Sequence, residues 1–249
     1  MNNRITSNQI IKLSSVDSTN NYAAKLVRQT KTPFGSVIMA DFQTNGKGQR
    51  ANTWISDNSK NLLFSIYEDS SFLNPSTFFY LSKITALSIR EFILEESNVK
   101  AVIKWPNDVL VENKKIAGIL IENQWRNNNL ISSIIGLGIN INQVVFPYGI
   151  VASSLKKITD KEFELRPLLN NYLEIFSKWL KLLKNRDYDL INDQYHRHLF
   201  NYNSWSDYHK SGENFRAKLL GVNESGLLIL QLEDGSEKLF DIKQITQLI

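Results

Sequence analysis

The sequence predicts an α+β protein made of one large domain followed by a small β-barrel. Helical and strand-like patterns alternate through the first two hundred residues. From about residue 203 onward, the chain shows only short β-type runs separated by turns. A chain of 249 residues with 42% hydrophobic content is long enough to bury a core. We therefore divide the chain into a domain over residues 1–202 and a barrel over residues 203–249.

The large domain opens with a helix, two strands and a longer helix. Residues 17–20 (Asp-Ser-Thr-Asn) are of types that often cap the start of a helix, so a helix is expected over about residues 20–29. Apolar runs at residues 36–42 and 61–67 predict two strands. Asn74-Pro75 predicts the start of a second helix that continues to about Glu96, because proline is favoured at an early helical position.

The middle of the chain predicts a meander of strands. Strand-like runs occupy residues 99–105, 108–111 and 116–122, and an Asn113-Lys114 turn separates the last two. A further strand is expected over residues 131–141.

The last part of the chain changes from helix to strand. A helix is expected over residues 167–184, with more helix to about residue 200. Short β runs at residues 215–220, 227–231 and 238–242 then predict the barrel, which is too small for a large core of its own and is expected to dock on the first domain.

Composition excludes several functional classes. The 29 Lys and Arg against 25 Asp and Glu are scattered, which suits anionic small ligands better than nucleic acid. Zero cysteines exclude disulfides, thiolate metal sites and thiol nucleophiles. His196, His198 and His209 fit no zinc spacing, so no metal ligands are assigned. No signal-like segment or long apolar run is present, which predicts a cytoplasmic protein without membrane attachment.

The segment from Gln43 to Trp54 (QTNGKGQRANTW) is the most informative motif. Gly46 and Gly48 would let backbone N–H groups turn toward an oxyanion, and Lys47 and Arg50 carry positive charge. The segment predicts a loop that folds over a phosphate or carboxylate. A polar turn between two strands is the alternative that the loop alone leaves open.

A second motif runs from Lys104 to Asp108 (KWPND). It places a lysine at the end of an apolar strand, where its ammonium could neutralise a carboxylate or a phosphate as charge develops. A solvated lysine at a strand end is the alternative. Asn107 and Asp108 are expected to form a turn, and Asp108 is also a candidate ligand for magnesium.

Two further motifs contribute. Residues 136–140 (GLGIN) lack the third glycine and the helix of a dinucleotide fingerprint, so the glycines are expected to permit close approach by a ligand or another backbone, with Asn140 available to a ligand. Ser18, Thr19 and Asn20 either cap a helix or offer donors to a polar ligand.

Together these motifs, with KIAGIL at residues 115–120, occur in an order and spacing that resembles biotin protein ligases over essentially the whole chain. The resemblance implies a mixed sheet flanked by helices, a class II synthetase and lipoate-ligase-like catalytic domain with an SH3-like C-terminal barrel. It also implies that ATP and biotin give biotinyl-5′-AMP and that biotin then passes to a lysine of a biotin carboxyl carrier domain. Mg²⁺ is expected with ATP.

The resemblance also implies site residues. Lys104 and Arg50 would be catalytic, and Ile119 and Leu120 would surround the apolar part of biotin. The residues expected to bind biotin or the adenylate are Ser18, Thr19, Asn20, Gln43, Gly46, Lys47, Gly48, Gln49, Arg50, Trp54, Lys104, Lys115, Gly118, Gly138 and Asn140.

The chain departs from the commoner family pattern within the glycine loop. Lys47 and Asn52 stand where arginine is usual or frequent, and Ala51 stands where glycine is common, so weaker retention of the adenylate is expected. The position of Gln49 is arginine in some relatives and glutamine in others, so Gln49 is not a departure from the pattern. The sequence leaves no room for an N-terminal winged DNA-binding domain, so repression is not expected and nucleic acid is not an expected partner.

Three alternative functions stay open at this stage. These are lipoate or octanoate transfer on the same scaffold, a non-catalytic biotin-binding or acceptor-binding module, and peptide binding by the barrel. The sequence does not decide between a monomer and a homodimer.

Overall fold

The computed structural model describes residues 10–49 and 52–248. Its main sheet has seven strands, in the spatial order β1-β2-β3-β7-β6-β5-β4. The β1 and β2 strands are parallel, and every other neighbouring pair is antiparallel. The strands are β1 (Ile10–Val16), β2 (Ser36–Gln43), β3 (Leu62–Asp69), β4 (Val102–Lys104), β5 (Asp108–Val111), β6 (Lys114–Arg126) and β7 (Asn129–Ile139).

Helices cover both faces of this sheet. They are α1 (Thr19–Gln29), α2 (Phe79–Ser97), α3 (Leu155–Thr159), α4 (Leu165–Lys184) and α5 (Tyr188–Arg197). Alternation along β2 shows the two faces, because Ile38 packs with α1 residues whereas Val37 and Met39 belong to the core beneath α2 and α4. The amphipathic α4 turns Leu169, Tyr172 and other apolar residues toward that core. The main domain therefore has three layers.

A second sheet follows α5. It has five antiparallel strands in the order β11-β10-β9-β8-β12, which is consistent with an SH3-like domain. Its strands are β8 (Trp205–Lys210), β9 (Glu213–Val222), β10 (Leu228–Leu232), β11 (Glu237–Phe240) and β12 (Thr246–Gln247). Its apolar residues, among them Tyr208 and Leu219, join the main core rather than forming a separate one. The α+β fold class is thus confirmed.

Two boundaries predicted from sequence are wrong for local reasons. The α2 helix begins at Phe79 and not at Pro75, because the Asn74 side chain accepts the backbone N–H groups of Ser76 and Thr77 and holds them in a turn. The hairpin turn after β5 lies at Glu112 and Asn113, which both have positive φ, so Lys114 already belongs to β6.

Other segments were shifted or missed. The strand expected over residues 99–105 is limited to Val102–Lys104, and the one expected over 131–141 spans Asn129–Ile139. The short helix α3 and the strands β1, β8 and β12 were not predicted. In β1 and β8 most residues are partly or fully exposed, so neither strand shows a clear apolar alternation. In the described part of the chain, no helix is long and apolar enough to span a membrane.

Candidate active site

The site is laid out on one face of the main sheet. Strand register aligns Lys104 with Asp108, Asp108 with Gly118, and Gly118 with Gly138 across the four strands β4, β5, β6 and β7. Aligned residues of neighbouring strands point to the same face, so these four residues form one row. Leu120 and Gly136 pair two residues further along and lie on that face as well. The KWPND, KIAGIL and GLGIN motifs therefore meet on one surface.

The glycine loop leaves the end of β2 and crosses over this face. Its stem is hydrogen-bonded to the segment before α1, because Thr44 N–H donates to Val16 O and Asn45 N–H donates to Asp17 O. Lys47 then bridges to Thr53 as in a short antiparallel ladder. Arg50 and Ala51 lie outside the described residues.

The two loop glycines pack closely against the opposite side of the loop, and neither has a left-handed backbone. A Cβ at Gly46 would be 2.5 Å from Trp54 O, and one at Gly48 would be 3.1 Å from Asn52 O. Gly48 N–H donates to Asn52 O over 2.7 Å, so in this conformation it is not available to a ligand. The expectation that the two glycines let backbone N–H groups of the loop turn toward an oxyanion stays a prediction.

A buried polar cluster lies where α1 meets the sheet. The Gln43 side-chain oxygen accepts the Thr19 N–H over 2.8 Å and lies 3.1 Å from the Thr19 hydroxyl. The Ser65 hydroxyl is 2.8 Å from Thr19 Oγ1 and 2.6 Å from Asn20 Oδ1. Asn20 Nδ2 donates to Glu122 over 2.8 Å. The cluster is thus a preorganised set of donors and acceptors fixed on three strands and a helix.

This network tests whether the side chains of residues 18–20 cap the helix. Ser18 occupies the N-cap position with an extended backbone, yet its side chain makes no capping hydrogen bond. The Thr19 N–H is satisfied by Gln43 instead. Ser18, Thr19 and Asn20 are nearly fully buried, with 2–4% exposure. The expectation of helix caps from these side chains is wrong, and they line a cavity.

Cations gather at the other part of the face. Lys115 Nζ pairs with Asp108 Oδ1 at 2.7 Å, and Lys104 ends β4 in the adjoining position of the row. Burial lowers the pKa of the half-buried Lys104 ammonium, the Asp108 carboxylate opposes that shift, and the Lys115 charge adds to it. Two lysines and one carboxylate thus leave a net positive charge where an anion would bind.

Trp54 covers the glycines of the strands. Its indole lies against Gly138 so closely that a Cβ there would overlap the ring, and a Cβ at Gly118 would be 2.9 Å from the ring. Lys115 Nζ lies 5.4 Å from the centroid of the same ring. Gly136 makes the equivalent approach to the Asn20 side chain. The glycines of GLGIN were expected to admit a ligand or another backbone, and here they admit two side chains of the chain itself.

One cavity unites these groups. Of the fifteen residues expected at the site, Arg50 is not described, and Gly46 and Asn140 do not line the cavity. The twelve that do are Ser18, Thr19, Asn20, Gln43, Lys47, Gly48, Gln49, Trp54, Lys104, Lys115, Gly118 and Gly138. Ile119 and Leu120 are also in its wall. Asn140 instead donates its side-chain N–H to Ser153 O over 3.0 Å and so fastens the segment after β7.

Sequence reasoning missed one wall of this cavity. The C-terminal domain contributes Ile242, Ile245, Thr246 and Gln247. No motif marks these residues, and they face the cavity only because the barrel docks against the KWPND hairpin. Among the described residues, no group of three or more His, Asp or Glu side chains is placed to hold a metal ion.

Comparison with known proteins gives the family. The model of the biotin/lipoate A/B protein ligase family matches residues 13–140, which is more than half of the chain. This chain is a member of that family. The match covers the whole row from Lys104 to Gly138, together with α1 and the glycine loop.

Relatives of this ligase extend the likeness beyond that segment. It is 27% identical over 232 residues to the bifunctional ligase/repressor BirA of Bacillus subtilis, which covers 92% of this chain and 70% of the relative. It is 26% identical over 226 residues to the biotin–protein ligase of Schizosaccharomyces pombe, covering 81% of this chain and 35% of that protein.

Solved structures match this chain along nearly all of its length. A biotin protein ligase from Aquifex aeolicus in complex with biotin and ATP superposes with a TM-score of 0.79 at 27% identity, covering 96% of this chain and 98% of the other. The similarity therefore includes the C-terminal sheet as well as the main domain.

Proposed function

We propose that this chain is an ATP-dependent biotin protein ligase. In the first half-reaction a biotin carboxylate oxygen attacks the α-phosphorus of ATP, which forms biotinyl-5′-AMP and releases pyrophosphate. In the second, a lysine amine of a biotin carboxyl carrier domain attacks the acyl carbon, which forms an amide and releases AMP. The observation that supports this proposal most directly is the placement of Lys104 in one cavity with Lys115 and with the polar cluster of Thr19, Asn20 and Gln43.

The cavity has the composition that such a reaction requires. Biotin has a polar ureido ring, an apolar body and a carboxylate. The cluster around Thr19 and Gln43 offers hydrogen bonds near Gly136, while Leu120 and Ile242 provide apolar wall. Lys104 lies in the neighbouring row of the sheet, and Lys115 is paired with Asp108 of that row. We propose that the ureido ring binds at the cluster and that the carboxylate points toward the lysines.

Lys104 is the proposed catalytic cation. A carboxylate and a triphosphate repel each other, and the charge on the attacking and leaving oxygens must be stabilised in the transition state. An ammonium group on a half-buried strand end acts in a medium less polar than water, where its attraction for an anion is stronger. Arg50 is proposed for the same phosphate, from the loop that folds over this face.

Few of the described side chains in the cavity could act as ligands for Mg²⁺. Among the described residues that line the cavity, Asp108 is the one carboxylate, and it is paired with Lys115. The described side chains therefore do not form a protein cage for the ion. We expect Mg²⁺ to arrive with the phosphates of ATP, which are its usual ligands in such sites.

The boundary between the two domains belongs to this proposal. Residues 1–202 would carry the catalytic chemistry, and residues 203–249 would form the barrel, whose residues at 242–247 complete the cavity wall. The acceptor would be the carrier domain of a biotin-dependent carboxylase.

Biotin-dependent exchange of labelled pyrophosphate into ATP tests the first half-reaction, with lipoate and octanoate assayed in parallel. Exchange with biotin alone is the expected result. Exchange with lipoate or octanoate instead would transfer the same chemistry to another acyl substrate, and biotin binding without exchange would indicate a non-catalytic module. Adding a purified biotin carboxyl carrier domain, or its variant in which the acceptor lysine is replaced by arginine, then tests transfer. Only the unmodified domain should become biotinylated.

A further inference from the structure

The turn between β9 and β10, residues 223–227, reaches from the C-terminal domain to the KWPND motif. The indole N–H of Trp105 donates to the carbonyl oxygen of Gly226 over 3.0 Å. Trp105 directly follows Lys104 and is only 3% exposed. A buried indole N–H that lost this acceptor would be unsatisfied, so the hydrogen bond fixes the side chain in one place.

Gly226 fits this position because of its backbone and its neighbours. Its φ is +92°, which residues with a side chain rarely adopt. Its Cα also lies against the ring of Phe79, so that a Cβ would overlap the ring. The carbonyl that accepts from Trp105 is therefore presented by a backbone conformation and a packing contact that both require glycine.

Helices α2 and α5 hold the start of the same turn. Lys83, which is fully buried, donates to Val222 O over 3.2 Å and to Asn192 Oδ1 over 2.6 Å. Its ammonium lies 4.8 Å from the centroid of the Tyr80 ring, and the Tyr80 hydroxyl is 3.4 Å from Glu224 Oε1. The turn is thus anchored to the main domain and is not a mobile loop end.

The residue before Lys104 is tied to the same part of the chain. Ile103 N–H donates to His198 O, and Phe200 N–H donates to Ile103 O, both over 2.8 Å. Residues 198–200 lead from α5 into the C-terminal domain. Lys104 therefore stands between two neighbours that are both bonded to the connection or to the barrel, whereas its own side chain faces the cavity.

We propose that Trp105 is a positioning residue for Lys104, and that the 223–227 turn, through the Gly226 carbonyl, is the part of the C-terminal domain that holds it. This inference rests on the proposed role of Lys104. Catalysis depends on placing a charged group correctly, and a displacement of about 1 Å costs on the order of 100-fold in rate when the geometry is demanding. A shift of the Trp105 backbone would move the adjoining Cα of Lys104.

The test compares two tryptophan variants. Trp105→Phe removes the N–H and keeps an aromatic ring. The matched control, Trp179→Phe, removes the N–H that donates to Glu91 Oε2 over 2.7 Å between α4 and α2, away from the cavity. We expect Trp105→Phe to lower kcat for biotin-dependent pyrophosphate exchange by about five- to tenfold, the factor that corresponds to one net hydrogen bond. KM for biotin should change less than about twofold, and Trp179→Phe should exchange at the wild-type rate.

The pH profile separates positioning from a general loss of structure. Burial lowers the pKa of Lys104. A lysine that has moved toward solvent should have a higher pKa and should keep its proton up to a higher pH. The alkaline limb of the exchange rate should therefore move to higher pH in Trp105→Phe and stay in place in Trp179→Phe. Equal kcat and equal profiles for the wild type and Trp105→Phe would overturn the inference.

A second pair of variants covers the case in which Trp105→Phe lowers the melting temperature. Gly226→Ala disturbs the acceptor side of the bond, and Gly235→Ala introduces the same methyl at a φ of +82° in the β10–β11 turn, with no atom within 4 Å of the added Cβ. Measured well below both melting temperatures, slower exchange by Gly226→Ala alone supports the inference, whereas equal rates in the two variants contradict it. Wild-type protein that fails to exchange with biotin would reject the proposed function itself, which is a separate outcome.

Discussion

The indole of Trp54 rests directly on the backbone of Gly138. The two residues come from the glycine loop and from the centre of the sheet, eighty-four positions apart in the sequence. Because Gly118 lies beside Gly138 in the next strand and approaches the same ring, the tryptophan packs on a flat patch of two backbones. This contact fixes the end of the loop above the row that contains Lys104.

We expect Gly138→Ala to destabilise the fold by about 1–3 kcal/mol, the usual cost of overpacking, because the added methyl must displace the Trp54 ring. Alanine in a strand is otherwise slightly favoured over glycine. Thermal or urea unfolding measures the change. In a Trp54→Ala background the same methyl should cost close to nothing, and an equal cost in both backgrounds would show that the contact is not the cause.

Lys104→Ala should lower the rate of biotin-dependent pyrophosphate exchange by about 100-fold or more, the effect of removing one preorganised group from the transition state. Biotin binding, measured by calorimetry, should remain detectable because the polar cluster around Thr19 is untouched. Lys114→Ala is the control, since that lysine is exposed at the start of β6. Unchanged exchange by Lys104→Ala would remove its catalytic role.

Asp108→Asn should move the alkaline limb of the exchange rate to lower pH. The Asp108 carboxylate favours the charged form of Lys104, and its charge raises the lysine pKa against the effect of burial. Without that charge, Lys104 loses its proton at lower pH and the rate falls earlier as pH rises. Asp193→Asn, which removes an exposed carboxylate paired with Arg197 on α5, should leave the limb in place. A shift to higher pH in Asp108→Asn would contradict this assignment.

Acidification should weaken the fold through His196. Burial lowers the pKa of His196, the charge of Lys83 lowers it further, and the Val222 backbone and Asp193 oppose these effects. The unfolded chain therefore takes up a proton on His196 at a higher pH than the folded chain does. The stability that this group contributes is fully present above the unfolded-state pKa of about 6.5. It is lost as pH falls below that value and through the lower pKa of the folded state.

His196 Nε2 lies 3.0 Å from both the backbone nitrogen and the carbonyl oxygen of Val222, so a ring nitrogen without a proton can accept the Val222 N–H. In His196→Gln, whose amide oxygen can accept the same bond, the free energy of unfolding should fall less steeply between pH 7 and 5. Burial also lowers the pKa of His198, so part of the acid dependence should remain. A slope identical to that of the wild type would contradict the role of His196.

Most of the fold could be predicted from hydrophobic periodicity and the order of the motifs. The elements that were missed or misplaced have physical explanations. The helix α1 and the strands β2 and β3 could be located because their apolar residues face a core. The start of α2 could not, since the choice between helix and turn depends on the side chain of Asn74 and not on the proline that follows it. The edge strand β1 has few buried residues and thus little pattern.

At the site, residues within motifs were found and residues supplied by docking were not. The cavity brings together Lys104, Lys115 and Gln43, and each of them lies in a recognisable motif. Thr246 and Gln247 reach the same cavity only through tertiary contacts, which a local pattern does not encode. Residue type also does not encode a hydrogen-bond partner, and the Gly48 N–H donates to Asn52 O within the loop.

The wall formed by residues 242–247 sets an order of events during synthesis. A ribosome makes the glycine loop, then Lys104, and only much later the last strands of the barrel. The nascent chain therefore contains Lys104 long before the cavity around it can close. Translation has to pass Gln247 before this wall is complete, so a chain terminated between Lys104 and Ile242 contains the lysine but lacks the wall.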